Sequence, residues 1–272
     1  MSNLVSTEWL AAHLSDDVCI LDCSWHLPTA KREARAEYEI THIAGAQFFD
    51  IDAISDKSTT LPHMLPTPEK FVIEVAKLGA NNIKRIICYD SVGLFSAARV
   101  WWMFKTFGHD NVAVLDGGLK KWLTEGRATQ TGLVTAIAEN FTTNFRPEMV
   151  KSMSQVASET AQIADARSPT RFRGEEPEPR PGVKPGHMPN AKNVHYSTLL
   201  NADGTLKSKP ELAKIFAATG IDIAKPITTS CGSGVTAAIL TLALTELGAS
   251  KHALYDGSWA EWGASGRAIV LG

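Results

Sequence analysis

The sequence predicts an α/β protein of two tandem domains, each a mostly parallel sheet with helices on both faces. Short apolar runs typical of strands alternate with helical segments, which is the order found in parallel sheets covered by helices. A motif also recurs at a distance of 140 residues, and such self-similarity indicates two copies of one fold. The chain of 272 residues is long enough for one large domain or for two of about 100 to 150 residues each, and the repeat favours two.

The first half begins with a helix near Thr7 that Ser6 caps, followed by a strand over residues 18–22. The further predicted elements of this half are a helix from 68 to about 78, a strand over 85–89, a helix over 96–107, a strand over 112–115 and a helix after Asp116-Gly117-Gly118. Strands and helices therefore alternate, as a parallel sheet requires.

The second half repeats the order of the first. The motif Asp-Gly-Gly-x-x-x-Trp-x-x-x-Gly-Arg-Ala begins at Asp116 and returns at Asp256, with Ser in place of the second Gly. His42 opens the sequence His-Ile-Ala-Gly-Ala, and His187 opens its counterpart His-Met-Pro-Asn-Ala. Polar residues of weak periodicity between the copies are typical of a linker. The predicted domains are therefore 1–138 and 153–272, with a linker over 139–152.

Composition and charge argue against several function classes. Hydrophobic residues make up 44% of the chain and the net charge is -2, which gives no sign of nucleic-acid or membrane binding. The first ten residues show no leader pattern, and no apolar run approaches the roughly 20 residues that span a bilayer. The four cysteines lack metal-ligand spacing. We therefore expect a cytoplasmic protein without a metal or cofactor.

A cysteine at the start of a glycine-rich turn is the most specific chemical signal in the chain. Residues 227–230 are typical of a strand, Cys231-Gly232-Ser233-Gly234 of a turn, and residues 236–247 of an apolar helix. Glycines let the backbone N–H groups point inward and form an anion site at the positive end of the helix dipole. A thiol there should ionise more readily than a free one, whose pKa is about 8.5. The alternative, an inert buried cysteine, does not require the flanking glycines.

The sequence Cys-Gly-Ser-Gly-Val-Thr-Ala from Cys231 resembles the active-site loop of the mercaptopyruvate sulfurtransferases, within the rhodanese superfamily. The resemblance covers nearly the whole chain and implies two rhodanese-like domains. It implies a reaction in which sulfur passes from 3-mercaptopyruvate through a Cys231 persulfide to a thiol acceptor such as thioredoxin, or to cyanide, with release of pyruvate. The loop N–H groups would stabilise the persulfide, and they belong to Gly232, Ser233, Gly234, Val235 and Thr236. Thr236 could instead only cap the helix.

The resemblance also implies two arginines that bind the substrate. Residues 171–182 are dense in Pro, Gly and charge, which predicts a rigid loop rather than a helix. Arg171 and Arg180 match the family's substrate arginines, and a guanidinium offers a carboxylate a planar bidentate fork. The alternative, a surface arginine paired with a nearby glutamate, suits Arg173 best.

A proton relay is the third implied feature. Asp52, His63 in His-Met-Leu-Pro, and Ser233 match a triad-like arrangement that would polarise the substrate carbonyl or move a proton as pyruvate enolate leaves. The alternative is that His63 only fills space in the fold. In the first copy, Asp90 takes the place of the cysteine, which predicts a catalytically silent first domain.

Three other functions remain open from the sequence. Thiosulfate-specific enzymes of the superfamily usually carry basic residues after the cysteine, where this chain has Gly232 and Ser233, so thiosulfate is predicted as a side substrate. Related phosphatases resemble Cys-x5-Arg, but the sixth residue after Cys231 is Ala237. A non-enzymatic persulfide carrier is the alternative from another class.

Overall fold

The computed structural model describes residues 2–14 and 17–272, which divide into two compact units. The first unit consists of Met1–Asp56, Pro66–Arg146 and Asn201–Leu206, and the second of Lys57–Leu65, Pro147–Leu200 and Lys207–Gly272. Each unit thus contains a short segment from the other half of the sequence. The predicted domain boundaries do not anticipate this exchange, because they follow chain order alone.

The first unit contains seven strands and six α-helices among the described residues. The strands are β1 (Leu4–Val5), β2 (Val18–Asp22), β3 (His42–Ile43), β4 (Gln47–Phe48), β5 (Arg85–Tyr89), β6 (Val112–Leu115) and β7 (Thr129–Gln130). The helices are α1 (Thr7–Ala12), α2 (Ala34–Ile40), α3 (Ile51–Ile54), α4 (Pro68–Lys77), α5 (Ala97–Thr106) and α6 (Gly118–Thr124). Five strands form a parallel sheet in the order β1-β6-β5-β2-β4, and β3 pairs with β7 in antiparallel fashion.

Local sequence explains these elements well. The predicted strands over 18–22, 85–89 and 112–115 are confirmed at the same residues, because each is a short buried run that no polar residue interrupts before its end. Helix α1 begins where predicted, since the Ser6 hydroxyl accepts a hydrogen bond from the Trp9 N–H. Its apolar side joins the core formed by the central strands and α6.

The second unit repeats this topology. Its strands are β8 (Val150–Lys151), β9 (Gln162–Asp165), β10 (Ala191–Asn193), β11 (Ile227–Ser230) and β12 (His252–Tyr255). Its helices are α7 (Met153–Ser158), α8 (Pro169–Arg173), α9 (Lys209–Ala218), α10 (Ala237–Glu246) and α11 (Ser258–Trp262). The strands form a parallel sheet in the order β10-β9-β11-β12-β8. This order corresponds strand by strand to that of the first sheet when the first is taken from its other edge, as β4-β2-β5-β6-β1. The predicted fold class is confirmed.

The predicted rigid loop over 171–182 is wrong at its start, where helix α8 extends to Arg173. The Ser168 hydroxyl accepts a hydrogen bond from the Arg171 N–H, and Pro169 occupies the first helical turn. Gly174 then ends the helix with a φ of 75°. The cap and the glycine thus mark the two ends of a short helix. The sequence does not predict this helix, because the many Pro and Gly residues that follow it favour a loop. In the part of the chain that the structure describes, no helix is long and apolar enough to cross a membrane.

Candidate active site

Cys231 lies at the carboxyl end of β11, which pairs with a parallel strand on each side. The next five residues form a turn, and α10 begins at Ala237. We call residues 231–236 the Cys231 loop. The cysteine is buried, with only 2% of its surface exposed. A central strand followed by a helix of ten residues places the loop at the positive end of the helix dipole.

Helix α11 anchors the Cys231 loop through its first turn. The Ser258 hydroxyl accepts a hydrogen bond from the Cys231 N–H at 3.2 Å and donates one to the Tyr255 carbonyl at 2.8 Å. The Trp259 N–H donates to the Cys231 carbonyl at 2.9 Å. Ser258 has a φ of 49°, a left-handed conformation that is strained for any residue except glycine. The surrounding bonds therefore hold Ser258 in a geometry that supports the cysteine backbone.

Four N–H groups of the Cys231 loop have no acceptor within residues 2–14 and 17–272. They belong to Gly232, Ser233, Val235 and Thr236. Ser233 and Val235 are buried, and unpaired buried donors are unfavourable unless an anion or water satisfies them. Together with the helix dipole they form a site suited to a negatively charged sulfur.

The corresponding loop of the first unit shows how this geometry binds an anion. The carboxylate of Asp90, at the position of the cysteine, accepts hydrogen bonds from five backbone N–H groups at 2.7 to 3.0 Å. The donors are Val92, Gly93, Phe95, Ser96 and Ala97. The first loop has an aspartate in place of the thiol, and the Asp90 side chain itself occupies the anion site.

His63 and Ser233 lie together, as the relay prediction requires. The Nδ1 atom of His63 is 3.0 Å from the Ser233 Oγ, and both side chains are buried. His63 belongs to the segment Lys57–Leu65, which we call the His63 segment and which is part of the second unit. Its φ of 60° is again left-handed, so the fold holds this residue against local strain.

Asp52, the third residue of the predicted relay, lies in α3 of the first unit. Its carboxylate accepts a hydrogen bond from the Trp25 Nε1 at 2.9 Å. A role for Asp52 in proton transfer stays a prediction.

The guanidinium of Arg171 lies beside the Cys231 loop. A Cβ atom at Gly232 would approach the Arg171 Nη2 to 3.0 Å, so a side chain at Gly232 would push the guanidinium away. Arg171 is also paired with Glu178, through Nη2 to Oε2 and through Nε to Oε1 at 3.3 Å. The structure thus places one of the two predicted substrate arginines beside Gly232, the residue that follows the cysteine.

The two remaining arginines of this stretch behave differently. Arg173 pairs with Glu175 at the surface, which confirms the alternative proposed for it. Arg180 is half-buried in the stretch that follows α8, and its role in substrate binding stays a prediction.

Sequence reasoning missed a buried charge network behind Arg171. Arg167 donates to the Asp165 carboxylate at 2.7 Å and to Glu178 at 2.9 Å, and its guanidinium lies 4.4 Å from the ring centre of Trp259. Glu178 therefore joins Arg167 to Arg171. The available signal was an Asp-x-Arg motif that begins at the last residue of a strand, since such a pair lies at the carboxyl edge of the sheet where sites form.

The interpretation of Thr236 as a helix cap is wrong. Thr236 precedes α10 with a φ of -74° and a ψ of -17°, and its side chain makes no capping hydrogen bond. Capping requires an extended backbone that turns the hydroxyl toward the helix N–H groups. The tight Cys231 loop enforces helical angles at this residue instead.

A surface cleft of about 740 Å³ lies elsewhere in the second unit, lined by residues that include Lys192, Trp262 and Arg267. Its lining contains no cysteine or histidine and none of the predicted site residues. Loop geometry and hydrogen bonding therefore identify the candidate site better than cavity size does. Among the described residues, no cluster of three or more His, Cys, Asp or Glu side chains could hold a metal ion.

A twofold repeat of a parallel α/β sheet with a cysteine loop after the central strand defines the class of rhodanese-like proteins. The model of the rhodanese-like domain matches residues 6–125 and again 147–265. The chain therefore belongs to the rhodanese family, in the form with two tandem domains.

Comparison with individual relatives narrows the class. The chain is 45% identical to the 3-mercaptopyruvate sulfurtransferase of Escherichia coli strain K12 over 96% of this chain and 94% of the relative. It is 42% identical to thiosulfate/3-mercaptopyruvate sulfurtransferase 1, mitochondrial, of Arabidopsis thaliana, over 95% of this chain and 75% of the relative. The crystal structure of SseA, a 3-mercaptopyruvate sulfotransferase from Escherichia coli, matches with a TM-score of 0.87 and 42% identity, over 95% of this chain and 99% of that chain.

Proposed function

We propose that this protein is a sulfurtransferase that moves the sulfur of 3-mercaptopyruvate through a Cys231 persulfide to a thiol acceptor or to cyanide. The observation that carries the proposal is the Cys231 loop, in which a cysteine stands among N–H donors that no group of the described chain satisfies. The close relatives named as 3-mercaptopyruvate sulfurtransferases support the choice of donor.

In the first half-reaction, the Cys231 thiolate attacks the thiol sulfur of the substrate. An S–S bond forms, the C–S bond of the substrate breaks, and its electron pair stays on carbon as pyruvate enolate. The enolate takes up one proton to become pyruvate, and the transferred sulfur remains on Cys231 as a persulfide. The N–H groups of the Cys231 loop stabilise the thiolate before attack and the persulfide anion after it.

Substrate orientation depends on the two arginines. The Arg171 guanidinium beside Gly232 binds the substrate carboxylate, and Arg180 assists from the following stretch. This anchor places the substrate sulfur toward Cys231, and correct orientation of reacting atoms is a large contribution to rate.

Proton movement falls to the relay of Asp52, His63 and Ser233. The hydrogen bond between the His63 imidazole and the Ser233 hydroxyl lets that hydroxyl donate to the substrate carbonyl as negative charge develops. Asp52 would orient the imidazole, as a carboxylate does in other triads.

In the second half-reaction, a thiolate acceptor attacks the outer sulfur of the persulfide, and the Cys231 thiolate leaves. A small redox protein with a dithiol, such as thioredoxin, fits this chemistry, and cyanide is the convenient acceptor in an assay. The net charge of -2 does not favour nucleic acid or a membrane surface as a partner. A cytoplasmic location belongs to the same proposal.

Thiosulfate is the second candidate donor, because one relative is named for both thiosulfate and 3-mercaptopyruvate. Thiosulfate is a dianion, and neither Gly232 nor Ser233 carries a positive charge, so the Arg171 guanidinium beside Gly232 would have to bind it. A carrier role, in which the persulfide forms once without turnover, is the alternative outside catalysis.

The test is sulfur transfer to cyanide by the purified protein, with 3-mercaptopyruvate and thiosulfate compared by kcat/KM. We expect a large preference for 3-mercaptopyruvate and complete loss of activity in Cys231→Ser with the fold intact. A preference for thiosulfate would contradict the choice of donor. Retained activity in Cys231→Ser would contradict the mechanism, and persulfide without turnover would indicate a carrier.

A further inference from the structure

The His63 segment is fixed in the second unit by a buried carboxylate. The Leu65 N–H donates a hydrogen bond to the Asp256 Oδ2 at 2.7 Å, and the Asp256 residue is 3% exposed. Leu65 stands two residues after His63, whose Nδ1 meets the Ser233 Oγ. Asp256 itself stands two residues before Ser258, whose hydroxyl accepts a hydrogen bond from the Cys231 N–H. One corner of the chain thus contacts both the cysteine loop and the segment that carries the histidine.

The first unit contains the same arrangement at the equivalent repeat position. Asp116 corresponds to Asp256, and its Oδ1 accepts a hydrogen bond from the Leu206 N–H at 2.8 Å. Leu206 ends the segment Asn201–Leu206, which comes from the second half of the sequence but belongs to the first unit. Each Asp-Gly corner therefore holds the backbone of a segment from the other half of the chain. Only the segment held by Asp256 carries a residue of the candidate site.

We infer that Asp256 is a positioning residue, which acts through the His63 segment to keep the His63 imidazole at Ser233. The left-handed φ of His63 is the reason why an anchor is needed, since a free segment would relax to a conformation without this strain. The hydrogen bond at Leu65 restrains the backbone close to the strained residue and removes that freedom. The inference rests on the proposed role of His63 in turnover.

The matched variants are Asp256→Ala and Asp116→Ala, which remove the same bond from the two units. We expect Asp256→Ala to lower kcat by about 100-fold, the loss that a misplacement of about 1 Å can cause. KM should change little, because Arg171 is untouched. Asp116→Ala should keep kcat within about twofold of the wild type, since acid–base groups that stay in place keep their contribution. Asp256→Asn retains a carbonyl oxygen for the Leu65 N–H and should recover most of the lost rate.

A double mutant tests whether Asp256 acts through His63. In the His63→Ala background, Asp256→Ala should reduce kcat by no more than about twofold, because residues that act as a unit are not additive. A second readout needs no activity. Trypsin should cut after Lys57 faster in Asp256→Ala than in Asp116→Ala, because the released segment opens more often.

The outcomes separate the inference from the proposed function. If His63→Ala turns over at the wild-type rate, the proposed role of His63 fails, and the positioning role fails with it. If His63→Ala is impaired but Asp256→Ala is not, or if the two effects multiply, only the positioning role is overturned. If Asp256→Ala does not fold, Asp256→Asn decides the question. A folded Asn variant with unchanged kcat and an unchanged rate of trypsin cleavage after Lys57 supports the hydrogen-bond anchor. A folded Asn variant whose kcat falls 100-fold contradicts it.

Discussion

The buried position of Glu178 leads to a prediction that separates its role from that of an ordinary surface partner. The Glu178 side chain is 3% exposed and joins Arg167, which is 1% exposed, to Arg171, which is 18% exposed. Removing one partner of a buried ion pair costs about 3 to 5 kcal/mol, because the other charge is left without compensation. Glu178→Gln retains one carbonyl oxygen for a guanidinium, so we expect the free energy of unfolding to fall by about 2 to 3 kcal/mol.

The same variant should change substrate binding. Without the Glu178 carboxylate, the Arg171 guanidinium loses the contact that holds it beside Gly232. We expect KM for 3-mercaptopyruvate to rise about tenfold, which corresponds to about 1.4 kcal/mol of binding free energy. The loss in kcat should be smaller, because Cys231 and its loop are unchanged.

The control is Glu175→Gln, which removes the carboxylate partner of Arg173 at the surface. Its side chain is 52% exposed, and pairs of this kind contribute about 0 to 1 kcal/mol. Urea unfolding followed by circular dichroism gives the free energies, and the cyanide assay gives KM and kcat. If Glu178→Gln matches Glu175→Gln in both measurements, the argument from burial is refuted.

Three further predictions concern other buried groups. Asp90→Ala should lower the free energy of unfolding by about 3 to 5 kcal/mol in urea, since five N–H donors lose a charged acceptor, and a loss below 1 kcal/mol would contradict that view. Ser258→Ala and Ser258→Gly both lose the hydroxyl contact with Cys231, but only the Ala variant keeps the left-handed strain. Ser258→Ala should therefore be about 1 to 2 kcal/mol less stable than Ser258→Gly, and equal stability of the two would argue against strain. Burial raises the pKa of Asp22 from its ordinary value of 3.8 to about 6. The contribution of Asp22 to the free energy of unfolding is therefore fully present below pH 3.8 and is lost as the pH rises through 6. As the pH rises from 3.5 to 7.5, the free energy of unfolding of Asp22→Asn should therefore increase by about 3 kcal/mol relative to that of the wild type. Parallel pH profiles of the two proteins in urea unfolding would contradict this.

The sequence alone identified the features that depend on neighbouring residues. Strands β2, β5 and β6 were predicted at their observed residues, because an apolar run bounded by polar residues is a local property. The place of Cys231 between a strand and a helix followed in the same way from β11, the two glycines and α10. The repeat of the Asp-Gly corner was also visible, because the two copies retain the same residues at the same spacing.

Only the tertiary structure decided which distant residues meet. The Lys57–Leu65 segment leaves its own half of the chain and brings His63 to Ser233, a pairing between positions 170 residues apart. No periodicity encodes such a contact, since it depends on the packing of distant segments within the second unit. The burial of Glu178 between two arginines is likewise a property of the folded state, because the same Glu-rich stretch also contains Glu175 in a solvent-exposed pair. Local pattern thus determined the elements and the place of Cys231, whereas long-range packing determined the residues that surround it.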